Sequence, residues 1–200
     1  KQFPTKSQYF KTGINIDYNN FDEVSKYWIQ VQSRINSDKK IRFFKTHNSF
    51  CKKGDSLFTN STNTLGVIHI VRDPRNVITS VMNYFHTENY DNAIEFMKKD
   101  KILGGSSDDN SLPTIIASWA NHYKSWKKFK KNYLLIKYEN LLDNPQQEFM
   151  KITNFLSSIG GFKFNENKIF EIIEKTKFDK LSAQESAKGY VGNSPQNKKL

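Results

Sequence analysis

GVIHIVRDPRNVITSVMNYF, residues 66–85, is the stretch whose reading decides the fold. Val67 to Val71 is an apolar run suited to a buried parallel strand, and Asn76 to Phe85 carries apolar residues at helical spacing. Between them stands Arg72-Asp73-Pro74-Arg75, so the charge enters where the strand ends. In open α/β sheets, ligands bind beyond the carboxyl ends of strands, and a helix N-terminus there offers backbone N–H groups and a positive dipole end to an anion. Arg72 sits at that edge, and Ser80 lies two helical turns further on. The two share a bound phosphate if the strand end folds alongside the helix. A second reading stands beside this one: Asp73-Pro74 is a helix-starting turn, with Arg72 and Arg75 paired to surface acids.

Outward from this segment, Ile41 to Lys45 and Tyr133 to Tyr138 read as two further strands. The stretches between and after them read as helices. One opens near Asn20 with Phe21, Val24, Trp28 and Val31 on one face, a short one covers Asn92 to Lys99, and a long one covers Thr114 to Lys130. Others follow at Pro145 to Ser158 and Asn165 to Lys175. Gly104 to Pro113 is expected as a loop and the chain from Ser182 onward as irregular. Short strands separated by longer helices are the spacing of β-α-β units over a parallel sheet, which places the chain in the α/β class.

At 200 residues the chain is sized for one domain that holds a core without disulfides or structural metals. With 36% apolar and 14% aromatic residues it is too hydrophobic for disorder, and no apolar run approaches the ~20 residues of a membrane span. The single Cys51 cannot form an internal disulfide, and the close pairs of Cys or His that hold zinc are absent, so no metal site is expected. That cysteine usage, with no signal pattern at the N-terminus, fits a reducing, cytoplasmic setting. The formal charge of +11 predicts attraction to anions without choosing among nucleic acid, membrane, glycan and nucleotide. The lysines are scattered in pairs rather than gathered in one arm, which a solvated surface explains equally well.

RFFKTHNSF, residues 42–50, places Lys45, Thr46 and His47 after a short apolar strand, again at an expected sheet edge. Histidine takes up a proton near neutral pH, and a lysine neutralises oxyanion charge as it develops. Taken alone, the three residues are equally a strand end that happens to carry a polar His. His69 within a strand and His122 on a helix read as core or surface residues, and His86 falls past a helix end.

Together these segments resemble the sulfotransferase family, which uses 3'-phosphoadenosine-5'-phosphosulfate (PAPS). VRDPRNVITSVMNYF is similar to that family's 3'-phosphate segment, in which the first Arg and the last Ser hold the phosphate, so the resemblance implies those roles for Arg72 and Ser80. The Lys-Thr-His string one strand earlier resembles the family's catalytic segment and implies His47 as general base with Lys45 assisting. LLIKYENLLDNPQQEF resembles the segment whose Tyr lies by the adenine, which gives Tyr138. TKFDKL resembles an adenine-contacting segment, which gives Thr176 and Phe178. KGYVGNSPQNKKL looks like the C-terminal phosphate loop, where Lys188, Gly189 and Gly192 match, while Ala187 stands in place of Arg and Asn193-Ser194 in place of Asp-Trp.

The resemblance implies a three-layer α/β/α fold with a parallel sheet, related to the P-loop NTPases, with PAPS as co-substrate and a small-molecule or glycan acceptor. The family's Pro-Lys-Ser-Gly-Thr-Thr-Trp loop has no counterpart, and CKKGDSLF at Cys51 to Phe58 is no substitute. The expectation is therefore one sulfotransferase domain over residues 1–200 without its N-terminal strand and phosphosulfate loop. Two other readings remain at this stage. One is a catalytically silent nucleotide binder of the same fold. The other is a basic nucleic-acid-binding module, weakened by aromatics that fall on apolar helix and strand faces.

Overall fold

The computed structural model describes residues 2–105 and 110–188, with only the backbone of Phe178, Glu185 and Lys188. In chain order it runs α1 (Lys6–Lys11), α2 (Phe21–Lys26), α3 (Trp28–Ile35), β1 (Lys52–Lys53), β2 (Ser56–Leu57), β3 (Val67–Val71), α4 (Pro74–Phe85) and α5 (Tyr90–Lys98). Then come β4 (Ile102–Leu103), β5 (Thr114–Ile115), α6 (Trp119–Trp126), β6 (Tyr133–Lys137), α7 (Tyr138–Asp143), α8 (Pro145–Gly160), α9 (Glu166–Lys175) and α10 (Phe178–Lys188). β3 pairs with β6 in a parallel sheet, so the expected α/β class holds. The chain forms two compact units, Lys1–His69 with Ile94–Tyr133 and Ile70–Ala93 with Leu134–Leu200.

The first unit is built on an aromatic core. Trp28, Tyr9, Val24 and Val31 are fully buried together with Phe58, Leu112, Trp126 and Phe129. Burying each large apolar side chain contributes about 1.5–3 kcal/mol, so this cluster dominates the unit's stability. Trp28 meets Phe58 edge-on at 5.3 Å. The Tyr9 hydroxyl donates to the Val24 carbonyl at 2.6 Å, and burial raises its pKa far above the usual phenol value. The helix expected near Asn20 does open there, because Asn20 Oδ1 accepts from the N–H groups of Asp22 and Glu23. It breaks at Tyr27 into α2 and α3.

Three expectations about elements need correction. Among the described residues Ile41 to Lys45 joins no ladder, and within it only Lys45 makes a bridge, to Gln2. Its apolar Ile41 and Phe43 are exposed, and among the described residues no strand pairs with them. The long helix over Thr114 to Lys130 is cut short: Thr114 and Ile115 form β5, antiparallel to β4, and Ala117 takes a left-handed φ of 59°. Ser118 then caps α6 by accepting from the Asn121 N–H at 3.3 Å, and Asp100 accepts from the Ser118 N–H at 2.6 Å. The glycine-rich loop is thus the connection of a hairpin. Finally, Ser182 continues a helix, α10, that runs to Lys188.

CKKGDSLF is a small antiparallel hairpin, with Lys53 opposite Ser56 across a turn in which Gly54 has a φ of +57°. It is no phosphate loop, as the sequence indicated. In the second unit, Asp73 caps α4, Pro74 occupies its first turn, and His86 ends it in the left-handed region. Pro145 starts α8, where the buried Glu148 carboxylate pairs with Lys151 at 2.5 Å. Ile169 and Ile173 form the buried face of α9.

Candidate nucleotide and base sites

In the second unit the strand end and its helix bring together three of the residues singled out in the sequence. The Arg72 guanidinium lies over the Tyr138 ring, 4.9 Å from its centroid, and its Nη1 stands 3.5 Å from Ser80 Oγ. Two donors and an aromatic face therefore share one patch at the carboxyl ends of β3 and β6. Arg72 and Ser80 are exposed, so this contact is loose and open to a ligand. Alongside, the Asp73 N–H donates to Glu139 Oε1 at 2.8 Å, tying the turn after β3 to the first residues of α7. That bond lowers the Glu139 pKa.

The first-turn donors of α4 are engaged by Asp73. Asp73 Oδ1 accepts from the Arg75 N–H at 2.9 Å, and the Asp73 carbonyl takes the N–H groups of Asn76 and Val77. These first-turn donors are spent on the cap. Arg75 folds back onto the same carboxylate, Nη2 to Oδ2 at 2.5 Å, and holds the Asp73 pKa down at about 2. The two sequence readings of this turn thus divide between its arginines. Arg75 is the arginine paired to a surface acid, and Arg72 is the one turned to Ser80 and Tyr138.

Thr176 ends α9, and its hydroxyl donates to the carbonyls of Ile172 and Ile173 within that helix. Among the described residues, no hydrogen bond joins it to Arg72, Ser80 or Tyr138. The Phe178 and Lys188 side chains, and Gly189 and Gly192, lie outside the described residues.

The first unit holds Lys45 and His47. His47 reaches solvent, while partial burial and then the Lys45 charge lower its pKa below the usual imidazole value. That direction favours the neutral form, which accepts a proton. The backbone at and after it is bonded to residues of α6, of which Ser125 and Trp126 were not singled out in the sequence and His122 was read there as a core or surface residue. The His122 imidazole, on α6, faces the His47 backbone in a hydrogen-bond interaction, with its own pKa lowered chiefly by burial. One turn on, Trp126 Nε1 donates to the Asn48 carbonyl at 2.9 Å, and the Phe50 N–H donates to Ser125 Oγ at 3.0 Å. His69 is buried, with Nδ1 2.8 Å from the Tyr133 hydroxyl and its pKa pushed down to about 4 by burial and by His122. The one hint in the sequence was the period of α6, which puts His122 and Trp126 on one face.

Among the described residues no group of three or more His, Cys, Asp or Glu side chains could hold a metal ion, and no helix is long and apolar enough to cross a membrane.

The curated relatives include sulfotransferase 2A1 of Macaca fascicularis, 27% identical over 135 residues, and sulfotransferase 1B1 of Canis lupus familiaris, 26% identical over 154. The matches cover 64% and 74% of this chain, but 44% and 47% of those proteins, so the chain spans about half the length of the curated relatives it matches. Mouse sulfotransferase SULT7A1, solved in complex with PAP, superposes with a TM-score of 0.54 at 24% identity, over 76% of this chain and 52% of its own. Retinol dehydratase, solved with androsterone and inactive cofactor PAP, gives 0.53 at 22%, over 74% and 40%. Both show the same fold. The sulfotransferase domain profile matches residues 6–198, nearly the whole sequence, and on that extent the chain belongs to the sulfotransferase family.

Proposed function

We propose that this protein transfers a sulfuryl group from PAPS to the hydroxyl or amine of a small-molecule or glycan acceptor. The convergence of Arg72, Ser80 and Tyr138 carries this reading. A guanidinium and a hydroxyl side by side suit two oxygens of one phosphate, and the Tyr138 ring suits a purine. Thr176, Phe178, Lys188 and Gly189 complete the nucleotide side of the proposal. The PAP complexes of SULT7A1 and retinol dehydratase support the choice of nucleotide.

In the reaction so assigned, a neutral His47 ring nitrogen takes the acceptor proton while the acceptor oxygen or nitrogen forms its bond to sulfur. The bond from sulfur to the 5'-phosphate oxygen breaks, and its electron pair leaves with adenosine 3',5'-bisphosphate. Lys45 offsets the negative charge that builds up as this bond lengthens. A reducing, cytoplasmic setting belongs to the same reading and rests on the single Cys51.

Calorimetry on the full-length protein tests the nucleotide assignment. Adenosine 3',5'-bisphosphate is expected to bind more tightly than 5'-AMP, and Arg72→Ala to weaken it by about 2–3 kcal/mol, roughly 30- to 150-fold. Equal affinity for the two nucleotides would sink the assignment.

A further inference from the structure

The bonds around His47 converge on its neighbour, Asn48. Asn48 is fully buried, and each of its backbone polar groups is engaged. Its N–H donates to Thr46 Oγ1 at 3.1 Å, and its carbonyl accepts from Trp126 Nε1 at 2.9 Å. Its side-chain Oδ1 accepts from the Ile115 N–H at 2.8 Å, while the Ile115 carbonyl accepts both the N–H and the hydroxyl of Ser49, at 2.8 and 3.0 Å. The Asn48 amide thus stands in for a strand carbonyl, giving β5 a partner on the edge that β4 leaves open.

The same amide carries a cost, because Asn48 Nδ2 is buried with no partner among the described residues. An unmet buried donor costs about 1–3 kcal/mol, so a plain core position would favour an apolar residue. What the amide provides is specific to its place. Upstream, residues 41–45 form no strand, with Lys45 bridged to Gln2 and Phe44 edge-on to Phe3, and downstream, Phe50 is held by Ser125. The exposed His47 stands directly before the buried pair Asn48 and Ser49, and Asn48 is the first residue of the stretch bonded to β5 and α6.

We propose that Asn48 is a positioning residue for His47: its buried amide fastens the 47–49 backbone to β5 and α6 and so fixes where the imidazole is presented. This deepens the reading of His47 as the general base and rests on it. Without Oδ1, the Ile115 N–H loses its partner and the peptide after His47 is free to turn, which lets water around the ring and scatters its orientation. A nucleophile and its base tolerate little such scatter.

The test follows His47 itself by NMR of the imidazole ring carbons in the full-length protein, across a pH titration. Asn48→Leu keeps the shape of the side chain and removes the acceptor. It is expected to move the His47 midpoint upward by roughly 0.5–1 pH unit as the ring gains water, and to broaden its line. Val31→Ala, a core substitution elsewhere in the same unit, serves as the stability control and is expected to lower the melting temperature without moving His47. An unmoved His47 in Asn48→Leu overturns the proposal, as does an equal shift in Val31→Ala. If Asn48→Leu fails to fold, Trp126→Phe removes the donor to the Asn48 carbonyl together with some core volume, a loss for which Val31→Ala is the control. It is expected to shift His47 in the same direction by less, and no shift overturns the proposal. Transfer is read separately, and Asn48→Leu is expected to lower kcat about tenfold with KM for PAPS unchanged. If His47→Ala leaves transfer intact, the base reading fails while the NMR result still reports whether Asn48 holds His47.

Discussion

The strand end at Arg72 and the segment at His47 are fixed in opposite ways. Arg72, Ser80 and their turn lie within nine residues of one strand-turn-helix, and their mutual contact is an open one of 3.5 Å at the surface. The His47 segment is bonded to residues 67 to 78 positions away, through Ile115, Ser125 and Trp126, and its anchoring groups are buried or half-buried. A group that grips a phosphate gains from reach and adaptable side chains. A group that moves a proton gains from a fixed backbone, since its efficiency depends on the distance and angle to the atom it deprotonates.

The largest expected effect separates the two directly. His47→Ala should lower kcat for sulfuryl transfer by about 10²–10⁴-fold, the usual worth of general-base catalysis, while leaving bisphosphate affinity at its original value. Steady-state transfer of label from PAPS, beside calorimetry on the same preparation, provides both readings. A joint loss of turnover and nucleotide affinity would mean that the segments are not independent.

Acid should single out the first unit. His69 has a folded pKa of about 4 against about 6.5 unfolded, so the unfolded chain takes up its proton first. Stability from keeping this ring neutral is present above about pH 6.5 and is lost as the pH falls through about 4, amounting to about 3 kcal/mol. His47 and His122, whose pKa values are also lowered, act in the same direction. All three tryptophans, Trp28, Trp119 and Trp126, lie in the first unit, so their fluorescence during denaturant unfolding at a series of pH values reports on it. His69→Asn keeps a partner for the Tyr133 hydroxyl and should flatten the dependence. An unchanged slope would place the acid sensitivity elsewhere.

Smaller effects probe the open side of the comparison. Ser80→Ala should weaken the bisphosphate by about 1 kcal/mol, near fivefold, and leave 5'-AMP binding unaltered. Arg75→Ala should change bisphosphate affinity less than about twofold, because that side chain is engaged with Asp73 in an exposed ion pair. If Arg75 proved the stronger contributor, the division of labour between the two arginines would be reversed.

The sequence by itself determined what is local. β3, α4 and β6 fall within a residue or two of their expected spans, because a buried apolar run, a Pro at a helix start and a period of 3.6 are written in consecutive residues. Spacing alone left open whether Arg72 and Ser80 meet; their roles were implied by the resemblance, and the fold brings the two side chains within 3.5 Å. Tertiary structure alone decided the rest. A left-handed Ala117 and the Ser118 cap held by Asp100 start at Trp119 a helix whose pattern began at Thr114, and the donors at the head of α4 are engaged by Asp73. The role of Asn48 could not be read from its neighbours, since its partner Ile115 lies 67 residues away and a side-chain amide that replaces a strand carbonyl leaves no period behind. Hydrogen bonds that close long loops depend on how the whole chain packs, and no window of consecutive residues contains that information.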